Sequence, residues 1–487
     1  MIAQKHALSI KLAGLKHYLL SPAAINMAML AALALVLARQ AFVVDAAGRL
    51  SRELVQSPLD VLPFVLLLAV PTLVGLVLAP VLLVRAGSRW LSLIIAAGFG
   101  MRLFWFGSLP PLDDDFYRYL WDGAVLAAGH NPYAFSPEQV MQGGSGVPEA
   151  LAGLAQTGGE TLKRINFPEL KSIYPGVAQL IFAVAHWLSP WQLDGLRSMI
   201  LLADSVTLLV LAGLLRALGR PLYWLALYWC NPLVILSGVG AGHIDAFLPP
   251  LVLGSFLALY RKQTHLAGVL LGLAVGIKIW PALLAPLLFR PTLAKWRRSI
   301  SAWLGCAAVS LAVLLPLTLS ACSADSGLSA YASSWHINNA PFDWLRSAMM
   351  WLTGEEKTTA GKIVRLLLGL AGGAVAIYMA WRPVAGLVDQ LTRALVIAAT
   401  VFYLSPAEFP WYALWFLPLA ALMQYWPLLL ASATLPVYYL FLPLAKAGHY
   451  ELFQSRVAFI HTAPVWLWIA WRYLKSRRRN SGRPVSG

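Results

Sequence analysis

The sequence predicts an all-α polytopic membrane protein with about 11–14 membrane segments, and three observations lead there. Of its 487 residues, 59% are hydrophobic and only 12% charged, about half the roughly 25% charged content of an ordinary soluble domain. Apolar runs long enough to span about 30 Å of hydrocarbon recur from end to end. No polar stretch between them is large enough to make a separate soluble domain. Lipid then demands helices, because each unpaired backbone amide in hydrocarbon costs several kcal/mol.

Taken in order, residues 1–106 form an N-terminal transmembrane unit with apolar runs at 22–44, 62–84 and 90–106. Lys5, Lys11 and Lys16 precede the first run as in a signal peptide. That run exceeds the roughly 7–15 residues of a cleaved apolar region, so it reads as an uncleaved span. Residues 107–196 read as a large outer-face loop with interfacial helices, ending in a short re-entrant segment at 173–189. The central unit, 197–320, carries runs at 197–215, 222–239, 244–260, 266–289 and 299–319, with a break at Lys278. Residues 321–362 form a second outer-face loop. Residues 363–474 carry the last runs, at 363–381, 391–404, 411–423, 427–444 and 457–474, and 475–487 is a basic tail.

The net charge of +16 comes from short Lys and Arg clusters between apolar runs, as topology requires, and no basic patch with interleaved aromatics points to nucleic acid. Cytoplasmic placement of those clusters is self-consistent if 173–189 dips in and returns, and if 266–289 is two arms meeting at Lys278-Ile279-Trp280-Pro281. Proline removes a helix donor there. Both termini are then cytoplasmic. The polar loops at 107–172, 240–243, 321–362, 405–410 and 445–456 share the periplasmic or extracellular face. The Gly- and Ala-rich stretch 143–159 reads as flexible. Cys230, Cys306 and Cys322 offer neither a disulfide framework nor zinc spacing.

The oddly placed ionisable residues gather in those loops. Asp113, Asp114 and Asp115 stand at the start of an amphipathic helix in which Tyr117, Leu120, Trp121, Ala124, Val125 and Ala128 recur at helical spacing, with Gly129 as its stop. One aspartate suffices as a cap. Three adjacent like charges call for a cation, a proton or a catalytic use, and an aspartate there suits a general base for an acceptor hydroxyl. Lys278 interrupts an apolar run at a cost of about 2.5–3.5 kcal/mol, so it either faces a lipid phosphate or snorkels to the interface. His243 and Asp245 open a span as a helix cap or as a sugar or phosphate contact. The 335–344 segment, with His336 and Asn338, mixes aromatics and amides as a sugar site or an interfacial belt would. Arg346, in the same 321–362 loop, is a phosphate candidate or a snorkelling residue. Arg102 is a further phosphate candidate or a snorkelling residue. Glu408 and Arg456 sit at outer mouths, as substrate contacts or solvated charges. His461, inside the last span, reads first as a hydrogen-bonded core histidine.

The run Asp-Asp-Phe-Tyr-Arg-Tyr-Leu-Trp-Asp-Gly at 114–123, followed by Ala-Gly-His-Asn-Pro-Tyr at 128–133, resembles the first outer loop of bacterial GT-C fold, polyprenyl-phosphate-mannose-dependent mannosyltransferases. Further matches follow in order: Ile173-Tyr174-Pro175, Asn231-Pro232-Leu233, Gly242-His243-Ile244-Asp245, Gly276-Ile277-Lys278, and Leu404-Ser405-Pro406 leading to Pro410-Trp411-Tyr412. The resemblance implies a GT-C-like bundle and an inverting hexosyl transfer, best matched by mannose. The donor would be a polyprenyl-phosphate sugar and the acceptor a lipid or glycan among membrane lipids. It further implies Asp115 as base, with Asp113 completing an Asp-x-Asp arrangement and Arg118 and Tyr174 beside the substrate. No cofactor is implied firmly; Asp113 and Asp115 are the pair that would hold a divalent cation. Ala124 and Gly176 depart from the arginine and proline common at those motif positions, which bears on donor and acceptor identity more than on fold. The alternative from the residues alone is a secondary transporter or lipid flippase, which would gather its charged residues near the midplane rather than at one face.

Overall fold

The computed structural model describes residues 22–86, 90–290, 296–320 and 326–481. The Lys5 to Lys16 segment, Arg89, Lys295, Cys322 and the end of the basic tail lie outside the described residues. Among those described, the chain is helical, and its one extended pairing is a parallel bridge between Ile337 and Ala407. It is an all-α polytopic membrane protein: six helices are long and apolar enough to cross a bilayer, from Pro58–Arg85 to Trp426–Lys446. A seventh span is possible by length if Leu222–Trp229 and Pro232–Gly240, bent by 57°, act together.

Several of the expected apolar runs fold as shorter helices. Thr264–Val275 has 12 residues, about 18 Å at 1.5 Å per residue, well below the roughly 30 Å of hydrocarbon. The reason is local. Gly276 ends that helix and Pro281 starts the next, Trp280–Leu284, leaving Ile277, Lys278 and Ile279 as the break the sequence predicts. Asn231 marks another break, its side chain accepting from the Leu233 and Val234 amides at 3.0 and 3.4 Å as an N-cap.

Five elements position the site: α1 (Asp115–Ala127), α2 (Gly176–Leu188), α3 (Leu193–Ala217), α4 (Lys357–Trp381) and α5 (Phe459–Ser481). The amphipathic α1 ends where Gly129 turns left-handed at φ +80° and the His130 amide reaches the Val125 carbonyl at 3.0 Å. Its buried face packs on α2, with Tyr119 stacked on Phe182 at 4.7 Å. Gly123 permits this approach, since a Cβ there would overlap the Phe182 carbonyl oxygen. The first loop has its own small core of Trp121, Val125, Val140, Leu151, Leu162 and Ile165. The supposedly flexible 143–159 stretch contributes helix Glu149–Gly158 to it. Its Ala and Leu residues favour helix once Leu151 has a core to enter.

Arg102 is corrected by the fold. It is fully buried, bonding Asp204 at 2.8 Å and the Gly98 and Trp229 carbonyls at 2.8 and 2.7 Å, with Trp229 beneath its guanidinium. An arginine buried and paired in this way ties α3 to its neighbours and is withdrawn from any phosphate.

Candidate active site

A cavity of about 710 Å³ opens where α1, the Lys278 break and the segments around 335 and 411 meet. Asp113, Asp114, Asp115, Arg118, Tyr174 and Lys278 all line it, although 165 residues of chain separate Asp113 from Lys278.

The carboxylates are differentiated by their partners. Leu112 takes a left-handed φ of +54°, uncommon for a branched side chain, which turns the chain into the triplet. The Asp113 Oδ1 then accepts the Asp115 amide at 3.0 Å, while its Oδ2 lies 2.6 Å from Nε2 of His243. Asp114 accepts from Arg52 at 2.8 Å and from the Asn166 amide. The Asp115 carboxylate has no hydrogen-bond partner among the described residues, and it is half-buried.

Electrostatics follows from that division. Burial, reinforced by the charge of Asp113, pushes the Asp115 carboxyl up to about 7, despite the opposing charges of His243 and Lys278. Burial also lifts Asp114 to about 6, partly offset by Arg52. His243 is buried, which disfavours its charge, but Asp113, joined by Asp115 and Asp245, outweighs that and holds the imidazole above its usual value. A carboxylate poised near neutrality, beside an imidazole whose charged form Asp113 favours, is suited to taking a proton.

Facing the triplet is an aromatic wall. Trp411 stacks on His243 at 3.8 Å, and Lys278 stands 4.0 Å above the Tyr412 ring and 5.6 Å from that of Trp415. Asp245 anchors this wall from behind, ion-paired with Lys278 at 3.2 Å and accepting from the Trp415 indole at 2.7 Å. Lys278 therefore does not snorkel. It is clamped at the cavity surface.

The remaining expected residues fall elsewhere. His243 and Asp245 support the lining residues from behind. Arg118 reaches the lining, but its guanidinium is committed to the Leu170, Phe167 and Asn166 carbonyls at 3.0, 2.8 and 3.4 Å, so it shapes the loop. Arg346 pairs with Asp343 at 2.5 Å and His336 at 3.1 Å, outside the lining. Asn338 and Glu408 are buried behind the wall, and Arg456 is exposed and away from the cavity. Arg52 and Asn166 were missed by sequence reasoning. Arg52 carried a usable signal, because the expected topology puts 45–61 outside, where a basic residue is out of place.

Residues 173–406 match the model of glycosyltransferase family 87. The chain is a membrane glycosyltransferase. The matched family is GT-C-like, in keeping with the resemblance of the motifs. Comparison with curated proteins and with solved structures gives no match. In the glycosyltransferase, the matched stretch supplies Tyr174, His243, Asp245 and Lys278, while the carboxylate triplet comes from the chain ahead of it.

Proposed function

We propose that the enzyme transfers mannose from a polyprenyl-phosphate donor to a hydroxyl of a lipid or glycan acceptor, with inversion, at the outer face of a bacterial cytoplasmic membrane. The observation that carries this reading is the meeting of unpartnered Asp115 and clamped Lys278 across one cavity.

Asp115 takes the proton from the acceptor hydroxyl as that oxygen bonds to the anomeric carbon. The bond from that carbon to the phosphate oxygen breaks, and the lipid phosphate leaves with the electron pair. Charge builds on that phosphate in the transition state, where a preorganised cation acts most strongly. Lys278, ion-paired with Asp245, has ammonium N–H donors to offer for this purpose. Arg52, half-exposed on Asp114 at the rim, is a second cation within the lining.

Asp113 and Asp115, with Asp114, offer carboxylate oxygens within 4.8 Å of one another, a separation compatible with a shared divalent cation. Both Asp113 oxygens already have partners, however, and Arg52 neutralises Asp114. Chelation by EDTA is therefore expected to leave turnover within about twofold, since oxygen-ligated cations need several free donors. A large loss restored by magnesium or manganese would assign the pair to a metal instead.

The direct test incubates purified protein with polyprenyl-phosphate-linked mannose, glucose or arabinose and cell-envelope acceptors. Mannose transfer is expected, and Asp115→Asn is expected to lower turnover by about 10²–10⁴-fold, the usual contribution of a positioned base. Turnover unchanged in that variant would remove Asp115 from the reaction.

A further inference from the structure

Asn338, Glu408 and His461 are each fully buried and take no part in the steps above, yet they sit directly behind the aromatic wall. Two irregular segments meet there. The Ile337 amide donates to the Pro406 carbonyl at 3.1 Å, and the Glu408 amide donates to the Ile337 carbonyl at 3.0 Å. Asn338 adopts the left-handed φ of +58° that asparagine tolerates, and its side-chain amide donates to the Glu408 carbonyl at 2.8 Å.

The side chains extend this junction. Oε1 of Glu408 accepts from Asn339 at 2.7 Å, and Oε2 lies 3.2 Å from Nε2 of His461, itself 2.9 Å from the Asn338 carbonyl. The Asn338 amide donates to Gln454 at 2.8 Å, and Gln454 in turn donates to the Tyr450 hydroxyl at 2.8 Å. Trp335, Ile337, Phe409, Trp411, Tyr412 and Tyr450, the neighbours of these groups, line the cavity.

We propose that Glu408 and His461, with Asn338 and Gln454, are positioning residues that latch the two segments together and so fix the donor end of the cavity, an inference that rests on reading the Lys278 wall as the donor end. The Glu408 and His461 pair is net neutral whether its proton sits on the carboxyl or on the imidazole, so it tolerates burial as a lone charge would not. Irregular backbone in a membrane bundle must find partners in the protein interior, and His461 supplies one from α5 to the Asn338 carbonyl.

A latch differs from a mere contributor to stability in what it changes once the protein is folded. In Glu408→Ala that remains folded in detergent, donor KM should rise about tenfold or more with kcat within about threefold, the pattern of lost ground-state binding. The pH midpoint set by Asp115 should stay in place. Glu408→Gln keeps the shape and, through its amide oxygen, the bond from Asn339, and should restore KM most of the way to wild type. Should Glu408→Ala not fold, Asn338→Gly retains the left-handed backbone, loses only the amide bond to Glu408, and should show the same KM rise in smaller degree. Unchanged donor KM in whichever of these variants is folded overturns the latch alone. A wild type that transfers from none of the three polyprenyl-phosphate sugars sinks the donor reading, and the latch's claim on donor KM with it.

Discussion

At the scale of single residues, His243 is the most informative position outside the triplet. Its bond to Asp113 frees Asp115 to be the unpartnered carboxylate, and its charge lowers the Asp115 pKa against burial and the Asp113 charge. A base works only when ionised, so a carboxyl held at about 7 makes the rate fall as pH drops below that value. His243→Gln removes a positive charge, so the midpoint of the kcat/KM profile should move to higher pH; a midpoint that stays or falls contradicts the role assigned to His243. The triplet, Lys278 and Tyr174 were legible in the sequence because charge and proline are conspicuous in apolar surroundings. Asn338 and Glu408 were equally conspicuous but lie behind the wall, since composition reports polarity and not which side of a wall a side chain occupies. Arg102 misled for a related reason: its partner Asp204 lies in a different apolar run, and nothing local announces a pair 102 residues apart.

Elements carry these residues to their places, and α1 on α2 is the decisive contact. The helix and its glycine stop were readable from spacing, whereas the close approach at Gly123 was not, because it depends on where Phe182 lies. Gly123→Ala should cost about 1–3 kcal/mol by overpacking and reduce turnover, since α1 must lift Asp115 with it. The control is Gly153→Ala, at a position with open space in helix Glu149–Gly158, which should leave turnover unchanged and melting temperature unchanged or slightly raised. Equal behaviour of the two variants would mean that α1 is not held in this way. The break at Lys278 was legible from Pro281 alone, whereas 222–239 reads as one run although Asn231-Pro232 carries the signal for its break. The lengths of the pieces were not legible, because a run of apolar residues does not reveal how soon its helix ends, and several runs became helices too short to cross unaided.

For the whole molecule, the fold class followed from composition, but the meeting of Asp115 and Lys278 across one cavity required the tertiary structure. The account stands on both groups opening to the same non-cytoplasmic side. The most direct measurement places single cysteines at Asp115 and Lys278 in a chain whose own Cys230, Cys306 and Cys322 are replaced. A membrane-impermeant thiol reagent is then applied to right-side-out and to inverted vesicles. Labelling of both positions from the outside only is the predicted result, and labelling of the two from opposite sides would contradict the account.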